Sequence, residues 1–374
     1  MTLSTFQTGV IQSANPFSSR NDTTVSISES LEIPTPSYPD QVLVRVLAVA
    51  LNPSDFKMVK YFPQPDTNLP IGCDFCGVVE DGFGEPVLSS FPKGTRVAGT
   101  KFPYGTNTAG AFAEWIVASI DQLIRIPNSM DDLQGASIGG LCWGTCVVAL
   151  FASEEALALP GSLTRPADRS YPVLVYSAAT ATGSMACQML RLAGHKPIAV
   201  TSESSVGLAC AYGAVGSAVY TSPDCVGAIR ALSPNGEPIR YALDCITSPE
   251  SAAVCFAAIG RAGGRYACLE KFKEEWRTRR AVHTKEVMGF EGFGQKVTLG
   301  DETYSREVNT TLKSKTGYWA AEMQASLDAG SIKAHPVREL KGKWEGVIEG
   351  LLMLQKGDVR AQKLVVRISS TEPC

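Results

Sequence analysis

The chain carries two patterns of apolar and polar positions in succession. Up to about residue 150, strand-like runs such as QVLVRVLAVA (41–50) and AFAEWIVAS (111–119) are separated by turns rich in Pro and Gly, which predicts a compact β-rich domain. From residue 173 the pattern changes. The apolar strand VLVYS (173–177) passes through the small residues Ala178 to Gly183 into an amphipathic helix that ends near Gly194. KPIAVTS (196–202), AVYTS (218–222), YALDCI (241–246) and RYACLE (265–270) read as further strands, and 204–213, 224–232 and 249–259 as the helices between them. This alternation predicts an α/β fold with a doubly wound parallel sheet, whose ligand binds at the carboxyl ends of the strands.

The turn after the first of these strands has the form of a phosphate cradle. Small residues let the backbone approach a pyrophosphate, and the helix behind them offers its N-terminal N–H groups to the anion. The glycine pattern departs from the dinucleotide fingerprint, with Gly183 present and Ala178, Ala179 and Ala181 in the other tight places. The alternative is an ordinary turn whose small residues serve helix-on-sheet packing. Twenty residues on stands Glu203, a carboxylate able to hold a ribose diol, among the hydroxyls of Thr201, Ser202, Ser204 and Ser205, which suit a 2'-phosphate. Spacing does not choose between NAD and NADP.

A length of 374 residues fits two lobes, and 44% hydrophobic content with a net charge of −3 describes a globular protein. The densest basic run, KFKEEWRTRR (271–280), is interrupted by Glu274 and Glu275 and reads as an exposed helical face, so nucleic acid is not expected. No apolar stretch is expected to reach the length of a membrane span and the polar start MTLSTFQTG is not a signal peptide; the expectation is a soluble, cytoplasmic protein. Most of the eleven cysteines sit in apolar segments and read as reduced core thiols. Cys73 and Cys76 lack a second pair, and His195, His283 and His335 lie far apart, so no metal site is expected. A G-x-S-x-G hydrolase turn is absent from the sequence.

NPSDFKM (52–58), GAFAEW (110–115), LVYSAATATGSMACQMLRLAG (174–194), RYALDCITSPES with CFAAIGRAGGRY (240–266) and QKLVVR (362–367) together resemble the medium-chain dehydrogenase/reductase superfamily, in its zinc-independent quinone-reductase branch. They are more specifically similar to the trans-acting enoyl reductases of fungal highly reducing polyketide synthases. DCITSPES with AIGRAGG is the most specific part, and the Pro-rich insertion at 157–172 is similar to one in the lovastatin-type enoyl reductases. Cys73–Asp74 stands where the superfamily's zinc alcohol dehydrogenases carry a His-Glu pair, and the four-cysteine structural loop is missing.

The resemblance implies a Rossmann domain over 151–310, inserted between a GroES-like catalytic domain over 1–150 and a C-terminal segment, 311–374, that returns to it. It implies NADPH as cofactor. Ser54, Asp55, Phe56 and Lys57 would lie beside it, Lys57 being the strongest candidate for a functional cation, with an exposed charge as its alternative. Ala179, Thr180, Ala181 and Thr182 would take the pyrophosphate. Ser202, Glu203, Ser204 and Ser205 would face the adenosine 2'-phosphate, and Tyr220 would cap the adenine ribose or its phosphate. Leu269 and Glu270 would flank the nicotinamide, and Val359 with Arg360 would close over it, a solvent-facing charge being the alternative for Arg360.

The substrate channel would be formed by Gly144, Thr145, Cys146, Val147, Val148, Ala149, Leu150 and Phe151 and by Gly289, Phe290, Glu291, Gly292 and Phe293. Thr145 is the catalytic candidate because it has a hydroxyl, while Val147, Val148 and Phe151 also fit plain core. The glycine-framed pair Phe290 and Phe293 reads as a flexible apolar wall in an irregular stretch.

The implied reaction is hydride addition to the β-carbon of an enoyl thioester, with Thr145, aided by Lys57, stabilising the charge that gathers on the thioester oxygen. No Tyr or His position demands the role of proton donor, and water is the expectation. The substrate would ride on the acyl carrier domain of a partner polyketide synthase or polyketide synthase–peptide synthetase hybrid. Trans-acting members imply a monomer and the wider superfamily a dimer. Two other readings share the fold: a quinone or enone oxidoreductase acting on free small molecules, and a non-catalytic NADPH-binding sensor.

Overall fold

The computed structural model describes residues 5–12, 25–64, 68–104 and 110–369. They form two units. The first takes in the residues up to Leu141, Thr298–Gly300 and the chain from Ala334 onward; the second takes in Cys142–Val297 and Asp301–Lys333.

In the first unit, β1 (Phe6–Gln12) and β2 (Val25–Glu32) form an antiparallel pair. β3 (Gln41–Ala50) leads into α1 (Pro53–Tyr61), which starts where Pro53 supplies the first helical position and Asn52 and Asp55 cap each other. There follow β4 (Asp74–Gly82), α2 (Glu85–Ser90), β5 (Arg96–Thr100), β6 (Trp115–Ser119), β7 (Leu123–Arg125) and α3 (Asp132–Ile138). The run expected as a strand over 111–119 is shorter, because the N–H groups of Gly110, Ala111 and Phe112 bond to the carbonyls of Pro70, Gly72 and Ile71, which leaves the ladder with β3 to begin at Trp115. Val42, Val44, Val46, Phe75, Phe112 and Ile116 are among the buried side chains of this unit's core.

α4 (Leu141–Val147) runs into a π-helical turn, Val148–Ala152. The second unit's alternating elements are then β8 (Pro172–Tyr176), α5 (Ala181–Leu192), β9 (Lys196–Thr201), α6 (Val206–Ala211), β10 (Gly216–Val219), α7 (Cys225–Ala231), β11 (Tyr241–Asp244), α8 (Pro249–Ala258), β12 (Gly264–Cys268) and β13 (Val282–Glu286). Their sheet is parallel, in the order β10-β9-β8-β11-β12-β13. The doubly wound sheet is therefore present, and its strand order reverses between β8 and β11. β10 begins two residues earlier than its apolar run suggests, because Gly216 pairs with Ile198 and Tyr220–Ser222 already turn away.

The segment 157–172 is tied down within the second unit. Buried His195 receives the Tyr171 N–H on Nδ1 (3.3 Å) and meets the Pro160 carbonyl through Nε2 (2.9 Å), and burial holds its pKa below the usual range. α9 (Thr310–Asp328) packs on the π-helical turn through Phe151 stacked on Trp319, 4.4 Å between centroids. Its Glu322 accepts the Thr164 N–H at 2.8 Å. Residues 311–333 thus stay with the second unit, and the return to the first starts at Ala334. There β14 (Val337–Leu340), α10 (Trp344–Lys356) and β15 (Lys363–Arg367) complete a seven-stranded sheet, β14-β15-β3-β4-β5-β7, with β6 on β3.

One expectation needs correction. Asp132–Ala152 is long and apolar enough to cross a membrane, but 89% of its most apolar window is buried inside the protein. The segment is also interrupted: Gly139, at φ +47°, ends α3. Packing, not a lack of apolar length, argues against a span here.

Candidate active site

The second unit gathers its sequence-predicted residues along one edge. Ala179–Thr182 follow β8, Ser202–Ser205 follow β9, Tyr220 follows β10, and Leu269 and Glu270 follow β12, all at carboxyl ends of parallel strands. The turn 177–183 stands beside the β8/β11 switch, where open α/β sheets take ligands. Thr180 caps α5: its hydroxyl donates to the Ser177 carbonyl (2.9 Å) and accepts the Gly183 N–H (3.0 Å). The N–H groups of the first helical turn, at Ala181 and Thr182, have no carbonyl four residues back within the helix, and the favourable end of the helix dipole suits them to an anion. Gly183 has a different duty. A Cβ there would lie 2.4 Å from the Ser177 oxygen and 2.7 Å from the Ala178 Cα, so glycine is what lets α5 pack against the strand end.

Beyond β9, Ser202 Oγ lies 3.2 Å from Ser204 Oγ and 3.0 Å from Ser205 Oγ. Glu203 and Tyr220 are exposed. Glu270 accepts the Tyr304 hydroxyl at 3.1 Å.

The substrate candidates also meet within this unit. Thr145 is buried on α4, and a Cβ on Gly289 would sit 2.4 Å from its Oγ1, so the two predicted segments touch through a glycine. Gly144 faces open space. Cys146 Sγ donates to the Thr182 carbonyl at 3.4 Å, joining α4 to the phosphate turn, and burial pushes its thiol pKa well above the ordinary value. Val147, Val148, Ala149 and Leu150 are core residues. Residues 289–293 form a 3-10 helix rather than an irregular stretch. Buried Glu291 anchors it by a 2.6 Å ion pair with Arg306, Thr316 Oγ1 donates to the Gly292 carbonyl (2.6 Å), and Phe290 and Phe293 lie 5.7 Å apart. Replacing Gly289 with Ala is expected to turn the Thr145 hydroxyl out of its rotamer and lower kcat about tenfold if that hydroxyl serves the reaction. Steady-state kinetics beside a melting curve checks this: turnover should fall with little change in Tm.

In the first unit the start of α1 joins a buried polar cluster. Asp74, fully buried at the start of β4, accepts the Gly140 and Leu141 N–H groups on Oδ1 (3.0 and 2.9 Å). Its Oδ2 takes Asn52 Nδ2 (2.9 Å) and Lys363 Nζ (3.2 Å), and Lys363 also donates to the Asn52 side-chain oxygen. Asp55 is buried and accepts the Asn52 N–H at 2.7 Å; desolvation, opposed by the Cys73 thiol, raises its pKa to about 7. Ser54 borders the Cys73 thiol, whose pKa burial raises well above the ordinary value. Phe56 packs on the core and Lys57 is half-buried on α1. Val359 packs on the same core, while Arg360 is exposed. Among the described residues, no group of three His, Cys, Asp or Glu side chains is placed to hold a metal ion.

Sequence reasoning missed Asn52, Asp74 and Lys363, and on the other unit Asp244, Thr247 and Tyr266. Buried Asp244 ends β11 and accepts the Ile246 and Thr247 N–H groups (2.9 and 3.0 Å), Ser251 Oγ (2.6 Å) and Tyr266 Oη (2.8 Å). Burial and this carboxylate push the Tyr266 pKa upward. The available signal was a carboxylate closing an apolar strand before T-S-P, a pattern of turn and N-cap residues.

A parallel sheet with this switch point, in one chain with a β-rich unit that also claims the C-terminal segment, is the fold of the medium-chain dehydrogenases/reductases. Residues 38–128 match the alcohol dehydrogenase GroES-like domain family. The fold resembles the crystal structure of CurK enoyl reductase with a TM-score of 0.69 at 17% identity, covering 97% of this chain and 98% of that one. At the level of sequence, the trans-enoyl reductase sthE of Phaeosphaeria nodorum is 48% identical over 365 residues, 97% of this chain and 98% of its own length. The trans-enoyl reductase calK of Penicillium decumbens is 46% identical over 374 residues, 98% of this chain and 99% of its own length. The chain belongs to this family of fungal trans-enoyl reductases, and so to the oxidoreductases of the enoyl reductase type.

Proposed function

We propose that the protein uses NADPH to reduce the α,β-double bond of an enoyl thioester carried on the acyl carrier domain of a separate polyketide synthase. The observation that carries this reading is near full-length similarity to relatives named trans-enoyl reductases. The small-residue turn at the β8/β11 switch supports a dinucleotide, since a capped helix start behind small residues suits a pyrophosphate. The hydroxyls of Ser202, Ser204 and Ser205 support the 2'-phosphorylated form. When bound, the reduced nicotinamide supplies the hydride that the β-carbon receives.

The chain's own part is to bind, orient and stabilise charge. Ala181 and Thr182 N–H groups hold the pyrophosphate, and the Thr145 hydroxyl donates to the thioester oxygen as negative charge gathers on it. Lys57 is proposed to add a positive charge in support of the reaction. Lys57→Ala is expected to lower kcat about 10²-fold while Tm stays near that of the parent protein, as measured by paired kinetics and melting.

The test of the reading is parallel titration with NADPH and NADH, followed by turnover of an unsaturated pantetheine thioester and of a free quinone. Tighter NADPH binding with thioester reduction is expected. Turnover of quinone without thioester would mark a small-molecule reductase, and tight binding without hydride transfer a sensor.

A further inference from the structure

In the turn after β11, the backbone and the side chain at Thr247 favour different residues. Its φ is +63°, in the left-handed region, where a β-branched residue is a steric outlier and glycine is at ease. Strain of this kind persists only where the surroundings over-determine it. They do so here. Asp244 Oδ1 accepts the N–H groups of both Ile246 and Thr247, while Ser251 and Tyr266 hold its Oδ2. The carboxylate is wholly buried, so the turn hangs from a rigid anchor at the end of β11.

Thr247 Oγ1 explains why glycine is not used. It accepts the Leu269 N–H at 3.1 Å and the Glu270 N–H at 3.2 Å, reaching across from one strand end to the next. β11 and β12 are parallel neighbours with Asp244 opposite Cys268, so the turn is directly alongside the segment it holds. Thr247 is buried, and a glycine in its place would relax the backbone but leave two neighbouring amides without this acceptor.

We propose that Thr247, anchored by Asp244, is a positioning residue for hydride transfer: its hydroxyl fixes the backbone of Leu269 and Glu270. The inference rests on the reading of these two residues as the nicotinamide-flanking segment.

The variants Thr247→Gly and Thr247→Ser separate this role from a merely structural one. Glycine removes both the strain and the acceptor, whereas serine retains the acceptor. With the full chain, NADPH and the crotonyl thioester of pantetheine, Thr247→Gly is expected to keep or raise Tm and to bind NADPH within about threefold of the parent, yet lose about 10- to 100-fold in kcat. The isotope effect with C4-deuterated cofactor should grow as the hydride step becomes limiting. Thr247→Ser should restore kcat to within about threefold. Unchanged kcat and isotope effect in Thr247→Gly would overturn the inference, as would a loss of turnover that merely follows a fall in Tm. If instead the parent protein fails to oxidise NADPH with any enoyl thioester, the cofactor reading itself falls, and this inference with it.

Discussion

Replacing Asp74 with Ala is expected to cost the first unit about 3–5 kcal/mol, because it leaves the Lys363 ammonium buried without its anion. The damage extends beyond the ion pair. Asn52, Gly140 and Leu141 lose their shared acceptor, so the start of α1 and the start of α4 come loose together. Gly139 fits around this carboxylate so closely that a Cβ would approach its Cγ to 2.5 Å, and having no side chain it has nothing to turn into the void. Urea unfolding read by tryptophan fluorescence checks the loss. The double variant Asp74→Ala/Lys363→Met should recover much of the stability, since an apolar replacement of both partners removes the uncompensated charge. A shift of less than about 1 kcal/mol in the single variant would mean that the pair is not the anchor described.

Replacing Gly183 with Val is expected to abolish measurable dinucleotide binding. The new Cβ would collide with the Ser177 oxygen and the Ala178 Cα, both backbone atoms that cannot rotate aside. α5 must then withdraw from the end of β8, carrying the N–H groups of Ala181 and Thr182 away from a pyrophosphate, at a cost of about 1–3 kcal/mol in overpacking alone. Isothermal titration with NADPH reads the result directly. Gly183→Ala should fall between the parent and the valine variant, and binding of parent-like strength in the valine variant would place the cofactor elsewhere.

The sheet was legible in the sequence because each strand of the second unit is a short, apolar run bounded by turn residues, and because only a short turn of small residues separates VLVYS from α5. Boundaries moved where a side chain has two uses. Phe112 is apolar enough for a strand yet fills the core from irregular backbone, and Gly216 is a turn residue by type yet sits in the ladder. The polar clusters were less visible. Lys363 opens an apolar strand and Asp74 lies 289 residues before it, so their pairing is a property of the fold that no local pattern encodes. Thr247 was hidden for another reason: its importance lies in a positive φ at a β-branched residue, which composition does not betray. The 289–293 segment looked irregular because its anchor, Arg306, comes fifteen residues after Glu291.

Deuterium transfer tests the central claim most directly. The protein is mixed with NADPH labelled at the reactive hydrogen of C4 and an unsaturated pantetheine thioester, and the product is analysed by mass spectrometry and NMR. One deuterium at the β-carbon for each NADPH oxidised is the predicted result. A reduced product without the label, or no cofactor oxidation while the thioester is present, would contradict it.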